Sequence, residues 1–167
     1  MNEITFLSSM DVKTLIPQIN SNYNDDKIRR HILQVQYITL KPVLGDLFNV
    51  IHDQIANNTL SEANRYLLTQ YTSQIIAILT YRRLVIYDPV SIEESGARVK
   101  TSDYSEPADI KHKSLLISAL QDDADFWLRE MQRYICNNLL SYPNYGCSNT
   151  TINKQRHITD FNCGFIS

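Results

Sequence analysis

Ser61-Glu62-Ala63-Asn64-Arg65-Tyr66-Leu67-Leu68-Thr69-Gln70-Tyr71-Thr72-Ser73-Gln74-Ile75-Ile76-Ala77-Ile78-Leu79-Thr80-Tyr81-Arg82-Arg83-Leu84-Val85-Ile86-Tyr87 is the stretch on which the fold turns. Leu67, Tyr71, Ile75, Ile78, Arg82 and Val85 recur every three or four residues and so share one side of an α-helix, with Leu68, Ile76 and Leu79 beside them. An apolar arc that wide must be covered from more than one direction, which predicts a central helix with others packed around it. Ser61 and Glu62 supply a hydroxyl cap and a first-turn acid, and Asp88-Pro89 supplies the stop.

The flanking segments read as the covering helices. Upstream, Ser8-Ser9-Met10-Asp11 starts a short helix that Pro17 limits, after an apolar segment Ile4 to Leu7 that suits an extended edge. Asp25 or Asp26 then caps a helix carrying Ile28, Ile32, Val35 and Ile38 on one stripe and Leu33, Tyr37 and Leu40 on a second. Lys41-Pro42 is expected to break this run and open another helix, with Leu44, Leu47, Phe48, Ile51 and Ile55 inward, as far as Asn57-Asn58. Downstream, helical period is lost between Val90 and Ala108, and a β-hairpin or ordered loop turning near Gly96 is expected at residues 90–105. Ser105-Glu106-Pro107 opens a long last helix with the stripe Leu116, Leu120, Ala124, Trp127, Met131, Ile135 and Leu139, stopped by Tyr142-Pro143. The fold class is therefore mainly α: a small helical bundle over residues 1–142, then an extended C-terminal arm over 143–167.

Composition narrows the function classes. A chain of 167 residues with 43% hydrophobic and 20% charged residues fits one folded domain and a tail. The formal charge of -2 argues against a freestanding nucleic-acid binder while leaving room for a local basic patch. No apolar run reaches the roughly 20 residues that span a bilayer, and Met1-Asn2-Glu3-Ile4 does not open a signal peptide, so no membrane partner and a cytoplasmic site of synthesis are expected. Glycine is scarce at 4 residues and tyrosine abundant at 10, a balance that favours amphipathic contact surfaces over phosphate-cradling loops.

Searches for chemistry return little. His31, His52, His112 and His157 lie on four separate segments without metal-ligand spacing, and we read them as surface or internally satisfied side chains. Asp122, Asp123 and Asp125, with Arg129 and Arg133 downstream, read as a solvated, internally paired helix face. Cys136, Cys147 and Cys163 are an odd number without C-x-x-C spacing and are expected as reduced thiols. No nucleophile elbow, Walker loop or dinucleotide fingerprint occurs, so no catalytic residue, metal or cofactor is assigned. Two basic clusters stand out. Lys27, Arg29 and Arg30 share one turn and read as a solvated helix start or a DNA or partner contact; Arg82 and Arg83 read as an intersubunit contact or a surface ion pair.

Three motifs fall in order on this helical frame. They are Tyr37-Ile38-Thr39-Leu40-Lys41-Pro42-Val43-Leu44-Gly45-Asp46-Leu47-Phe48 with its P-x-L-G element, preceded by Asp11-Val12-Lys13; Gly96-Ala97-Arg98-Val99-Lys100-Thr101-Ser102 followed by Ser105-Glu106-Pro107-Ala108; and Tyr134-Ile135-Cys136-Asn137-Asn138 running into Tyr142-Pro143-Asn144-Tyr145. Over residues 4 to 146 this arrangement resembles the head–tail connector (adaptor, neck ring) proteins of tailed bacteriophages, in particular those of crAss-like and other Bacteroidetes phages. The resemblance implies a non-enzymatic virion protein, made in the bacterial host cytoplasm and placed at the virion neck. It implies a homo-oligomeric ring, commonly of twelve copies, docked on the portal protein and meeting further neck or tail ring proteins. Genomic DNA would pass through the ring's channel without sequence-specific binding, which near-neutral charge suits, because tight phosphate contacts repeated round a ring would hold the DNA.

On that reading Arg98 and Lys100, which flank Val99 on one side of an extended strand, face the channel or the portal. Lys27, Arg29, Arg30, Arg82 and Arg83 are candidates for lateral contact. Ile158, Phe161, Phe165 and Ile166 in the tail are candidates for an arm on a neighbouring subunit. Two other classes remain open: a small helical regulatory or nucleic-acid-binding protein, recognised by salt-dependent DNA affinity as a monomer or dimer, and an enzyme with a site between helices, for which no constellation speaks.

Overall fold

The computed structural model describes residues 4–87, 106–143 and 145–146, with 106–110 as backbone only. The described chain is mainly helical, as expected, and contains no strand among the described residues. The hairpin or loop at 90–105 and nearly all of the arm from 143 onward lie outside the described residues.

Helix α1 spans Ser9–Leu15 and is closed at its start by a reciprocal pair: the Asp11 N–H donates to Ser8 Oγ at 3.1 Å, and the Ser8 N–H and hydroxyl both donate to the Asp11 carboxylate. The linker after it is tied down by Lys13. Its ammonium donates to the carbonyls of Ser21 at 2.7 Å and Tyr23 at 2.8 Å and pairs with Asp25 at 2.7 Å. That partnership holds the Asp25 carboxyl below the usual carboxylate range.

Helix α2, Asp25–Val35, is capped by Asn24 rather than by either aspartate, because Asn24 has the extended backbone and its Oδ1 accepts from the Asp26 and Lys27 N–H groups. Asp25 and Asp26 fall in the first turn, at the positive end of the dipole. The expected break at Lys41-Pro42 does not occur there. The helix instead widens into a π turn over Gln36–Leu40, in which the Lys41 N–H donates to the Gln36 carbonyl, and runs on as α3, Lys41–Leu44. The break comes at Gly45, whose φ of 55° and ψ of -128° suit a residue without a Cβ. The π turn inserts one residue and rotates the downstream faces. Gln36 and Leu40 are consequently buried, whereas Ile38, expected on the inner stripe, is 64% exposed and Tyr37 also faces outward.

Helix α4, Asp46–Ala56, buries Leu47, Phe48 and Ile51 and ends at Asn57, with Asn58 at positive φ. Ser61 caps α5, Glu62–Leu67, as expected; a second π turn over Leu68–Thr72 leads into α6, Ser73–Tyr87. Residues from every side of α6 are buried, among them Ile75, Ile76, Leu79, Thr80 and Leu84. The reason is position: α6 packs on α1 and α2 to one side and on α7, Glu106–Asn137, to the other. Ala124, Leu128, Met131 and Ile135 are the α7 residues that seal this contact. Trp127, expected in the core, is half-buried at its margin; Leu116 is exposed on α7, and Leu139 is exposed in the turn beyond the helix end at Asn137.

After α7 the chain folds back and pins the bundle end. Tyr142, 2% exposed, donates its hydroxyl to the Ala63 carbonyl at 2.8 Å, and Tyr145 donates to that of Val43 at 3.1 Å. At the opposite end of the sequence, Gln36 serves residues 4–6 as a partner strand would: its Oε1 accepts from the Phe6 N–H at 2.7 Å and its Nε2 donates to the Ile4 carbonyl at 3.2 Å. The extended edge foreseen for Ile4 to Leu7 thus pairs with a side chain and not with a sheet.

Candidate interaction surfaces

Two flanks of the bundle and an aromatic band between helices carry the features that composition singled out. On the first flank, Lys27, Arg29 and Arg30 are all exposed on the outer turn of α2, with the Lys27 ammonium 5.8 Å from the Tyr23 ring centre. One to two turns further along, Gln34, Tyr37 and Ile38 continue the outward side. Tyr37 leans on Phe48 at 5.6 Å between ring centres, and Lys41 lies over both rings.

Arg82 and Arg83 both bond within the chain. Arg82 Nε donates to the Ile117 carbonyl of α7 at 3.3 Å, while Arg83 Nε donates to Gln34 Oε1 of α2 at 3.0 Å and its guanidinium sits 5.2 Å from the Tyr87 ring. The pair therefore ties the central helix to its two neighbours within one chain. An arginine's long stem allows this: it lies along the apolar surface and delivers its polar end at the edge.

The second flank is the outer side of α7. Asp122 and Asp123 are exposed there, and Asp125 accepts from Gln121 Nε2 at 2.9 Å. Arg133 pairs with Glu130 rather than with one of these aspartates. The same side exposes apolar groups that a solvated helix does not require: Phe126 is 50% and Leu115 59% exposed.

Between the flanks runs a continuous aromatic band. Tyr66 meets Tyr134 at 5.3 Å, Tyr134 stacks on Tyr71 at 5.1 Å, Tyr71 meets Trp127 edge-on at 6.4 Å, and Trp127 meets Phe126 at 5.6 Å. Tyr142 closes the other end against Tyr134. Burial, followed by the neighbouring tyrosines Tyr66 and Tyr134, pushes the Tyr71 hydroxyl above its ordinary pKa, and burial does the same at Tyr142. The abundance of tyrosine was visible in the sequence; its convergence was not, because it depends on how α7 is aligned with the π turn at Leu68–Thr72.

No group of three or more His, Cys, Asp or Glu side chains converges to hold a metal among the described residues. His31 stacks on Tyr87 at 6.2 Å and His52 lies beside Phe48 and Asp53. Cys136 is half-buried on α7, and the other cysteines of the chain, Cys147 and Cys163, lie outside the described residues. The loop candidates Arg98, Val99 and Lys100 and the arm candidates Ile158, Phe161, Phe165 and Ile166 lie there too. Among the described residues, no helix is long and apolar enough to cross a membrane.

No curated protein and no solved structure matches the chain. One family does match, over residues 40–155, a span that begins at the π turn and α3, takes in the P-x-L-G element and covers well over half of the sequence. The chain thus belongs to the family described as being of unknown function, DUF6712.

Proposed function

We propose that this chain is a non-enzymatic structural subunit that works as one copy in a ring, of the head–tail connector type found in tailed bacteriophages. In that role it docks on a portal protein at the virion neck, meets further neck or tail rings and extends the channel through which genomic DNA slides. The observation that carries the reading is the central position of α6, with α2 on one side and α7 on the other. Each outer helix satisfies the core with one side and still presents large apolar groups outward, Ile38 and Tyr37 on one flank and Leu115 and Phe126 on the other. A ring subunit needs two such adhesive flanks in addition to its core. The motif resemblance over residues 4–146 supports the same reading, as does a formal charge of -2, which leaves DNA free to move.

The exposed Lys27, Arg29 and Arg30 turn favours one rival, a helical regulatory or nucleic-acid-binding protein. Incubating the purified chain with the portal protein of the same phage, and separately with duplex DNA at low and high salt, separates the two. Negative-stain images should show an added ring on the portal and no salt-dependent DNA retention. A monomer or dimer that leaves the portal bare and binds DNA at low salt would overturn the connector reading.

A further inference from the structure

The outer sides of α2 and α7 are complementary in charge and in apolar content, and their spacings agree. On α2, Lys27, Arg30 and Gln34 stand at helical intervals on one exposed side, with Ile38 beyond them. Of the two acids in that first turn, Asp25 is drawn to Lys13 of its own chain, and Asp26 is outnumbered by Lys27, Arg29 and Arg30. On α7, Asp122 and Asp123 are exposed, and Leu115 lies two turns earlier on the Asp122 side. The negative charge is concentrated in the turn at residues 122–125, since Lys111 lies three turns before it, Arg129 follows about one turn after, and Glu130 beyond is paired with Arg133.

We propose that neighbouring copies in the ring join through these two surfaces. The Lys27 and Arg30 turn of one copy seats on the Asp122 and Asp123 turn of the next, with Ile38 against Leu115. This rests on the ring reading and specifies its lateral contact. The partner is a second copy because one chain carries both halves of the match on different flanks of α6. Such a contact is heterologous, head to tail, so it passes from copy to copy instead of stopping at a dimer, and gives a ring where the rotation between copies closes. Helical rise places Ile38 about 12 Å beyond Arg30, and Leu115 about 10 Å before Asp122. Charge meets charge and apolar meets apolar in one register only if the two helices run antiparallel across the contact.

Charge reversal in the full chain tests the assignment. A Lys27→Glu/Arg30→Glu protein has two acidic flanks, and an Asp122→Lys/Asp123→Lys protein has two basic ones. Each alone should need a protein concentration about ten-fold higher or more to assemble, alone or on its portal, while keeping the wild-type circular dichroism. Mixed one to one they should assemble again, with the two species alternating round the ring. If either protein alone forms rings as the wild type does, or the mixture stays unassembled, the lateral contact lies elsewhere and this proposal falls, although the ring reading stands. A wild-type chain that never assembles sinks both. Should a reversed protein fail to fold, an Ile38→Cys/Leu115→Cys protein on the wild-type background decides: oxidation should yield a ladder of linked copies, and its absence overturns the proposed register.

Discussion

Replacing Gln36 by leucine removes the two side-chain hydrogen bonds that hold the Ile4 and Phe6 backbone, and keeps a side chain of similar volume in the same space. The side chain is fully buried in the π turn, its carbonyl oxygen 2.7 Å from the Phe6 amide and its amide 3.2 Å from the Ile4 carbonyl. A leucine of similar volume fills the space but leaves a partly buried N–H without an acceptor, a loss of about 1–3 kcal/mol. Ile4 remains partly exposed, so its carbonyl can turn to water and adds little. Burying a leucine in place of an amide returns part of the cost, and we expect a net loss of about 1–2 kcal/mol, or roughly 2–8 °C in melting temperature. Phe6 rests on Phe48 at 4.9 Å between ring centres, so the loosening should begin at that contact. Thermal melts by circular dichroism give the global effect, and hydrogen exchange at the Phe6 amide gives the local one. A Gln36→Leu protein that melts at or above the wild-type temperature with Phe6 equally protected would refute this account of the N-terminal segment.

Three further outcomes follow from single residues. Gly45→Ala meets no atom within 4 Å of the added Cβ, so its cost is that of the backbone at φ 55° alone, about 1–3 kcal/mol by denaturant titration. Thr80 is fully buried and its hydroxyl finds no partner among the described residues; Thr80→Val should therefore stabilise the fold by about 1 kcal/mol, and a lower melting temperature would contradict this. Because Lys13 lowers the folded-state pKa of Asp25, the pair contributes stability above the ordinary carboxylate range, and that contribution is lost as pH falls through the lowered value. Stability measured from about pH 5 downward should accordingly fall less in Lys13→Met than in the wild type.

Much of the fold could be read from local chemistry. Ser8 and Ser61 cap helices where a hydroxyl precedes an acid, and the wide apolar arc after Leu67 foretold a helix covered on several sides. What escaped was set by longer-range geometry. A π turn leaves the same apolar spacing in the sequence as an α-helix until the inserted residue is known, so the spacing alone points Ile38 inward and gives no sign that Gln36 is buried. Pro42 drew the expected helix break to itself, although Gly45, three residues later, is where the backbone leaves helical space. Asn24 and the acids beside it are equally suited to cap by side-chain type, and type alone does not say which residue is extended. For the surfaces, the Lys27, Arg29 and Arg30 turn was visible at once. The aromatic band and the inward use of Arg82 and Arg83 required knowing which helices lie side by side.

If two adhesive flanks make this chain a ring subunit, native mass spectrometry of the purified protein, alone and with a portal protein added, should reveal it. A single assembly at a whole multiple of the subunit mass should persist as protein is diluted into the low micromolar range, or be captured on the portal. Monomer or dimer under both conditions would contradict it.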